Sequence, residues 1–108
     1  MASFVAVLVL ALQPVQAQSQ LRTVIGHVLN AQNQPLQKAV VHLKNTRTLA
    51  VRSYISKEDG NYQFSGLSQN VDYEVYAELD GQKSDTKTLS GFDTRPRSVI
   101  NLKVPVKK

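Results

Sequence analysis

Asp59-Gly60-Asn61-Tyr62-Gln63-Phe64-Ser65-Gly66-Leu67 combines a turn, two alternating aromatics and a second glycine within nine residues. Gly60 can take positive φ without steric cost and Asp59 can bond the backbone just ahead, so Lys57 to Asn61 is predicted to be a hairpin turn. Tyr62 and Phe64 then alternate with Gln63, the period of a strand with one buried face. Gly66-Leu67-Ser68-Gln69-Asn70 leads over to Asp72.

Downstream, Tyr73 to Leu79 alternates most cleanly, with Tyr73, Val75, Ala77 and Leu79 on one face and Glu74, Tyr76 and Glu78 on the other. Asp80-Gly81 is a strong short-range hairpin signal, and Lys83 to Leu89 returns from it. Ser90 to Arg97 is a loop holding Phe92 and Pro96. Val99 to Val104 places Ile100, Leu102 and Val104 on one side, and Pro105 ends the ladder by lacking an N–H. Upstream, three runs read as strands: Arg22 to Leu29, Ala39 to Lys44, and Arg47 or Leu49 to Ser56.

No apolar pattern holds helical spacing long enough to count, so the chain is predicted to be all-β, a seven-stranded antiparallel β-sandwich. The expected core comprises Val24, Val28, Val41, Leu43, Val51, Ile55, Tyr62, Phe64, Leu67, Tyr73, Val75, Ala77, Ile100 and Leu102. With Gly60 and Gly81 at turns, Tyr62, Phe64, Leu67 and Tyr73 are its structural anchors.

Phe4 to Leu12, reading FVAVLVLAL, is continuously apolar and is followed by Pro14 and Val15-Gln16-Ala17, a small-residue pattern suited to signal peptidase. The expectation is a signal peptide over residues 1–17, cleaved before Gln18, and one domain over 18–108. The run falls short of the roughly 20 apolar residues that a membrane-spanning helix needs, so no stable membrane span is expected after leader cleavage. Met1-Ala2-Ser3 carries no Lys or Arg, which leaves room for a true start upstream of Met1. The mature protein is thus expected to be exported, periplasmic or secreted.

Formal net charge is +5, and the leader contributes none of it. The basic residues are spread along strand-like segments with no base-reading cluster, so a solvated basic surface is expected and nucleic acid is not. Cysteine is absent, which excludes disulfides, thiolate metal sites and cysteine nucleophiles.

These residues together resemble the bacterial carboxypeptidase regulatory-like domain. The pieces are Gly26-His27-Val28, Gln34-Pro35-Leu36 with Ala39, Val41 and Leu43, the Asp59 to Leu67 string, and Tyr73, Val75, Gly81, Ser84 and Leu102. The chain departs from the family pattern at Gln34, where Gly is usual, and at Asn70-Val71-Asp72, where a Pro-Gly pair is usual. The resemblance implies a transthyretin-like, immunoglobulin-like sandwich with an accessory role, and it carries over no catalytic zinc site.

The chemical inventory is thin. His27 and His42 fall on separate strands with no third His or Cys to complete a zinc site, so no metal and no cofactor are expected. Glu74 and Glu78 lie about 13 Å apart along a strand, too far for paired glycosidic carboxylates, and are expected to pair with Lys or Arg. Asp59, Asp72, Asp80 and Asp85 lack the spacing of a calcium loop and suit turns. No serine sits in a strand-to-helix elbow. Asn101 is placed for a Lys–Asn isopeptide link, but the first strand offers no lysine.

The expectation is therefore a non-catalytic structural or protein-interaction module of the cell envelope, its partner an envelope protein or polysaccharide. The alternative is a carbohydrate-binding module, in which Tyr54 and Tyr76 point outward and, if their strands are neighbours, form one stacking platform.

Overall fold

A computed structural model describes residues 21–107. The leader read at residues 1–17 lies outside them. Nine strands form among the described residues: β1 (Arg22–Leu29), β2 (Val40–Asn45), β3 (Val51–Ile55), β4 (Asn61–Leu67), β5 (Tyr73–Leu79), β6 (Gln82–Lys83), β7 (Lys87–Leu89), β8 (Arg97–Val99) and β9 (Leu102–Lys103). One sheet has the order β4-β1-β8, with β9 also on β1; the other has the order β3-β2-β5-β6, with β7 also on β5. The two layers enclose Val24, Val28, Val41, Leu43, Tyr62, Phe64, Leu67, Val75, Ala77 and Leu102, all buried.

The strand count exceeds the expected seven because two of the seven are interrupted. Asp80 (φ 53°) and Gly81 (φ 77°) form the tight turn, and β6 leaves it paired Glu78 to Lys83. Further along, β7 pairs Tyr73 to Leu89 and Glu74 to Thr88, a register advanced by one residue. The extra residue is a bulge over 84–86, where Ser84 Oγ accepts the N–H of Ala77 at 2.9 Å.

The last run breaks at Ile100 and Asn101. Both of its halves keep one register on β1, with Ile25 opposite Val99 and Val28 opposite Leu102. At the break the Asn101 side chain replaces the missing backbone acceptor, its Oδ1 taking the N–H of His27 at 2.9 Å. These pairings run parallel, so the first sheet is mixed and the wholly antiparallel sandwich expected from sequence is corrected.

The turn at Lys57 to Asn61 is not a hairpin. Its local chemistry is as read: Gly60 has φ 80°, and Asp59 Oδ1 accepts the N–H of Asn61 at 3.0 Å. Yet β3 and β4 belong to different sheets, so the turn carries the chain across the sandwich. Gly60 itself is buried, and a Cβ there would lie 2.7 Å from the Val28 carbonyl oxygen. Val28 N–H donates to Gly60 O at 2.8 Å, which ties the crossing to β1.

Phase is inverted in β3. Val41, fully buried, stands opposite Tyr54, and Lys44 and Val40 stand opposite Val51 and Ile55. Directly opposed residues share a face, so Tyr54 turns inward and Val51 and Ile55 turn out, 56% and 61% exposed. Assigning those two to the core fails because a strand of period two read one residue out of phase flips every side chain. Ile100 is half-buried and packs against the core. Leu36, Ala39, Val71, Leu89 and Val104 complete the core instead.

Candidate functional site

The outer face of the five-stranded sheet collects the polar chemistry of the molecule. His42 stands opposite Ser53 on one side and Tyr76 on the other, making one row across β3, β2 and β5. His42 Nδ1 lies 3.0 Å from Ser53 Oγ, and Nε2 lies 2.9 Å from Glu78 Oε2. The His42 and Tyr76 ring centroids are 4.9 Å apart, and Lys83 Nζ sits 5.5 Å from the Tyr76 centroid.

His42 lies on the outward parity of β2, and its partners Ser53 and Glu78 were missed from sequence because their contact needs a register that only the fold supplies. Glu78 thus pairs with His42 where Lys or Arg was expected, and Glu74 stands opposite Lys44. Ser53, His42 and Glu78 resemble an acyl-transfer trio in composition. The β2 amides beneath are committed to ladders on both sides, and Ser53 stands exposed on an open face, where water screens developing charge.

Tyr54 and Tyr76 do not come together. Tyr76 shares the outer face with His42, while Tyr54 faces inward and meets Phe64 edge-on at 6.0 Å between centroids. β2 lies between their strands. The two rings occupy opposite faces of one sheet, so the shared stacking platform expected from sequence is not formed.

The edge of β3 is the other feature of this region. Asn45 N–H donates to Ala50 O at 2.9 Å and Ser56 N–H to Ala39 O at 2.8 Å, which fixes the alternation of the ladder. Arg52 and Tyr54 therefore point their backbone groups at β2, whereas the N–H and C=O of Val51, Ser53 and Ile55 point away from it. The free edge is flanked by the exposed side chains of Val51 and Ile55.

Other edges are blunted. β4 carries a register shift, with Gly66 at φ 71°, and its Ser65 carbonyl accepts from the Arg52 guanidinium at 3.0 Å. The β6 and β7 side is bulged, and the β8 and β9 side is interrupted and bounded by Pro96 and Pro105. Such devices protect sheets against strand addition; β3 carries no bulge, break or proline, and its one charge, Arg52, lies on the inner face.

At one end of the sandwich a buried arginine organises the loops. Arg22 is 1% exposed, and it donates to the carbonyls of Ser68 (3.1 and 2.7 Å), Val71 (2.7 Å), Ser90 (2.7 Å) and Asp93 (3.0 Å). These contacts tie the β4–β5 loop to the β7–β8 loop. Tyr73 supports them, its ring 5.9 Å from the guanidinium carbon and its hydroxyl accepting the Ser68 N–H at 2.8 Å. Nearby, Asp93 accepts a bidentate pair from Arg95, which holds its carboxyl well below the usual range. Phe92, 93% exposed, projects from the same loop.

The remaining residues singled out from sequence are structural. Tyr62, Phe64, Leu67 and Tyr73 are buried, and Gly60 and Gly81 take positive φ. His27 is exposed on β1. Among the described residues no group of three or more His, Cys, Asp or Glu is placed to hold a metal, and no helix is long and apolar enough to cross a membrane.

Comparison with known proteins agrees with this architecture. The family model described as carboxypeptidase regulatory-like domain matches residues 23–105. No curated protein sequence matches the chain. Among solved structures, it is similar to catechol 1,2-dioxygenase from Acinetobacter sp. ADP1, with TM-score 0.61 and 14% identity over 86% of this chain and 55% of that one.

It is similar also to the dioxygenase domain of a dioxygenase carbohydrate-binding protein fusion from Streptomyces sp. SirexAA-E, with TM-score 0.61 and 15% identity over 88% and 86% of the two chains. The major pilin subunit BcpA of Bacillus cereus gives TM-score 0.59 and 14% identity over 80% of this chain and 30% of that one. The chain thus spans about half the length of the Acinetobacter enzyme. At these identities the likeness is one of fold.

Proposed function

The chain belongs to the carboxypeptidase regulatory-like domain family, and on that premise we propose that it is a non-catalytic accessory module, exported to the bacterial cell envelope, that works through protein contact. The observation that carries this reading is the free edge of β3, where Val51, Ser53 and Ile55 offer backbone groups beside two exposed apolar side chains. An edge of this kind recruits an extended segment by main-chain hydrogen bonding, and alternate side chains set the specificity. Fold likeness to a pilin subunit supports the reading, since that fold also occurs in a protein that assembles.

Export is supported by the apolar run Phe4 to Leu12 and the Val15-Gln16-Ala17 pattern after it. A polysaccharide partner would meet Tyr76 alone on the outer face, without Tyr54 beside it.

A photo-reactive residue at Val51, introduced into the chain produced in cells, tests the assignment against the same residue at Thr88 on the far side of the same sheet. Adducts of defined mass at Val51, recovered from the envelope fraction and missing at Thr88, are expected. Equal and diffuse labelling at both positions, or recovery in the cytosol, would contradict it.

A further inference from the structure

We propose that the occupant of the β3 edge is β3 of a second copy of this chain, added antiparallel about a two-fold axis through Ser53. This rests on the reading of β3 as the docking element, and it names the partner.

Self-complementarity of the register carries the argument. Only Val51, Ser53 and Ile55 present N–H and C=O groups to the open side. An antiparallel neighbour bonds fully only when its own edge-facing residues stand opposite these. A two-fold centred on Ser53 opposes Ser53 to Ser53, Val51 to Ile55 and Ile55 to Val51, so every free edge group of both strands finds a partner. Centring the axis on Arg52 or Tyr54 leaves one end of each strand unpaired.

Side chains follow the same symmetry. On the outer face each Val51 would meet the partner copy's Ile55, covering the two exposed apolar residues of the strand. On the inner face each Arg52, held in its own copy by the Ser65 carbonyl and the Phe64 ring, would stand beside the partner copy's Tyr54, so its charge meets an aromatic and not a second arginine. No charged residue of β3 faces outward, so the pairing brings no like charges together on that face. The joined sheets would run continuously through both copies.

The interface is one strand wide, which places it among weak, transient associations, and the net charge of +5 opposes it at low salt. Sedimentation of the purified chain in about 0.15 M salt should show mass rising from one copy to two between the micromolar and near-millimolar range. Ser53→Pro removes an N–H that faces only the open edge, so the fold should survive, as read by circular dichroism, while dimer affinity falls at least about tenfold. Val51→Lys or Ile55→Glu alone should also weaken the dimer. The double substitution should restore it, because each new lysine then faces a glutamate.

A cysteine provides a second readout in a chain that has none. Opposed Cα atoms in a hydrogen-bonded antiparallel pair are about 5.5 Å apart, within disulfide range. Ser53→Cys should therefore oxidise to a covalent dimer faster than Thr88→Cys.

A mass of one copy at every concentration overturns the proposal, as does a dimer indifferent to Ser53→Pro or equal oxidation at the two cysteine positions. If the purified chain stays single while Val51 captures a different protein in cells, the second copy is refuted and the module reading stands.

Discussion

The Tyr62 hydroxyl donates to the Ile100 carbonyl across 2.5 Å, reaching from β4 over Gly26 of β1 to the break between β8 and β9. Gly26 is what makes the reach possible. A Cβ at Gly26 would stand 1.9 Å from the Ile100 oxygen and 2.9 Å from the Tyr62 ring. The bond therefore fastens the C-terminal strand to the sandwich where its own ladder is interrupted.

Gly26→Ala should accordingly destabilise the domain by about 3 kcal/mol or more, since the new methyl meets backbone and not a flexible side-chain end. Urea unfolding with an unchanged slope would register it as a loss of stability. A midpoint equal to that of the parent chain would refute the close approach.

Tyr62 should also weaken the fold at alkaline pH. Burial pushes its phenol well above the ordinary value, so the folded chain keeps a proton that the unfolded chain releases near pH 10. Above about pH 10 the unfolded state binds fewer protons, and stability must fall as pH rises; below it the contribution is fully present. Tyr62→Phe should cost about 1 kcal/mol at neutral pH through the lost hydrogen bond. Its stability should then decline less steeply than the parent's between about pH 9 and about pH 11.

Arg22→Met should cost about 3 kcal/mol or more, because the carbonyls of Ser68, Val71, Ser90 and Asp93 lose their buried donor. Arg22→Lys should recover only part, for an ammonium cannot reproduce the planar fork that serves four oxygens. Thermal unfolding of both variants checks the order parent, Lys, Met.

Leu43→Ala should cost about 2 to 5 kcal/mol as a buried truncation, whereas Ile55→Ala should fall within about 0.5 kcal/mol of the parent. The contrast tests the phase of β3, for the reverse order would return Ile55 to the core.

How far the sequence was legible depended on the strand. The bounds of β1 and β5 were legible to the residue, because after Arg22 the inward positions of each are apolar, aromatic or small while the outer face of β5 carries Glu74 and Glu78. β3, reading VRSYI, has apolar residues on both parities, and Val51 and Ile55 look more core-like than Arg52 and Tyr54. Only the pairing with Val41 settles its phase. That single ambiguity decided the candidate site, since it turned Tyr54 inward and put two aliphatic residues on an open edge.

Arg22 was hidden for another reason. A strand beginning with arginine reads as polar at its start, and nothing local announces that four carbonyls from two distant loops converge on it. The crossing at Gly60 was equally opaque: the turn chemistry is local, but whether the next strand joins the same sheet is a property of the whole chain.

Residue-resolved amide hydrogen exchange across β3, on dilute protein, tests the free edge most directly. The Arg52 and Tyr54 amides, bonded to β2, should be protected, while those of Val51, Ser53 and Ile55 exchange at nearly the rate of open chain. Uniform protection along the strand, or protection at Val51, Ser53 and Ile55 with exchange at Arg52 and Tyr54, would contradict the account.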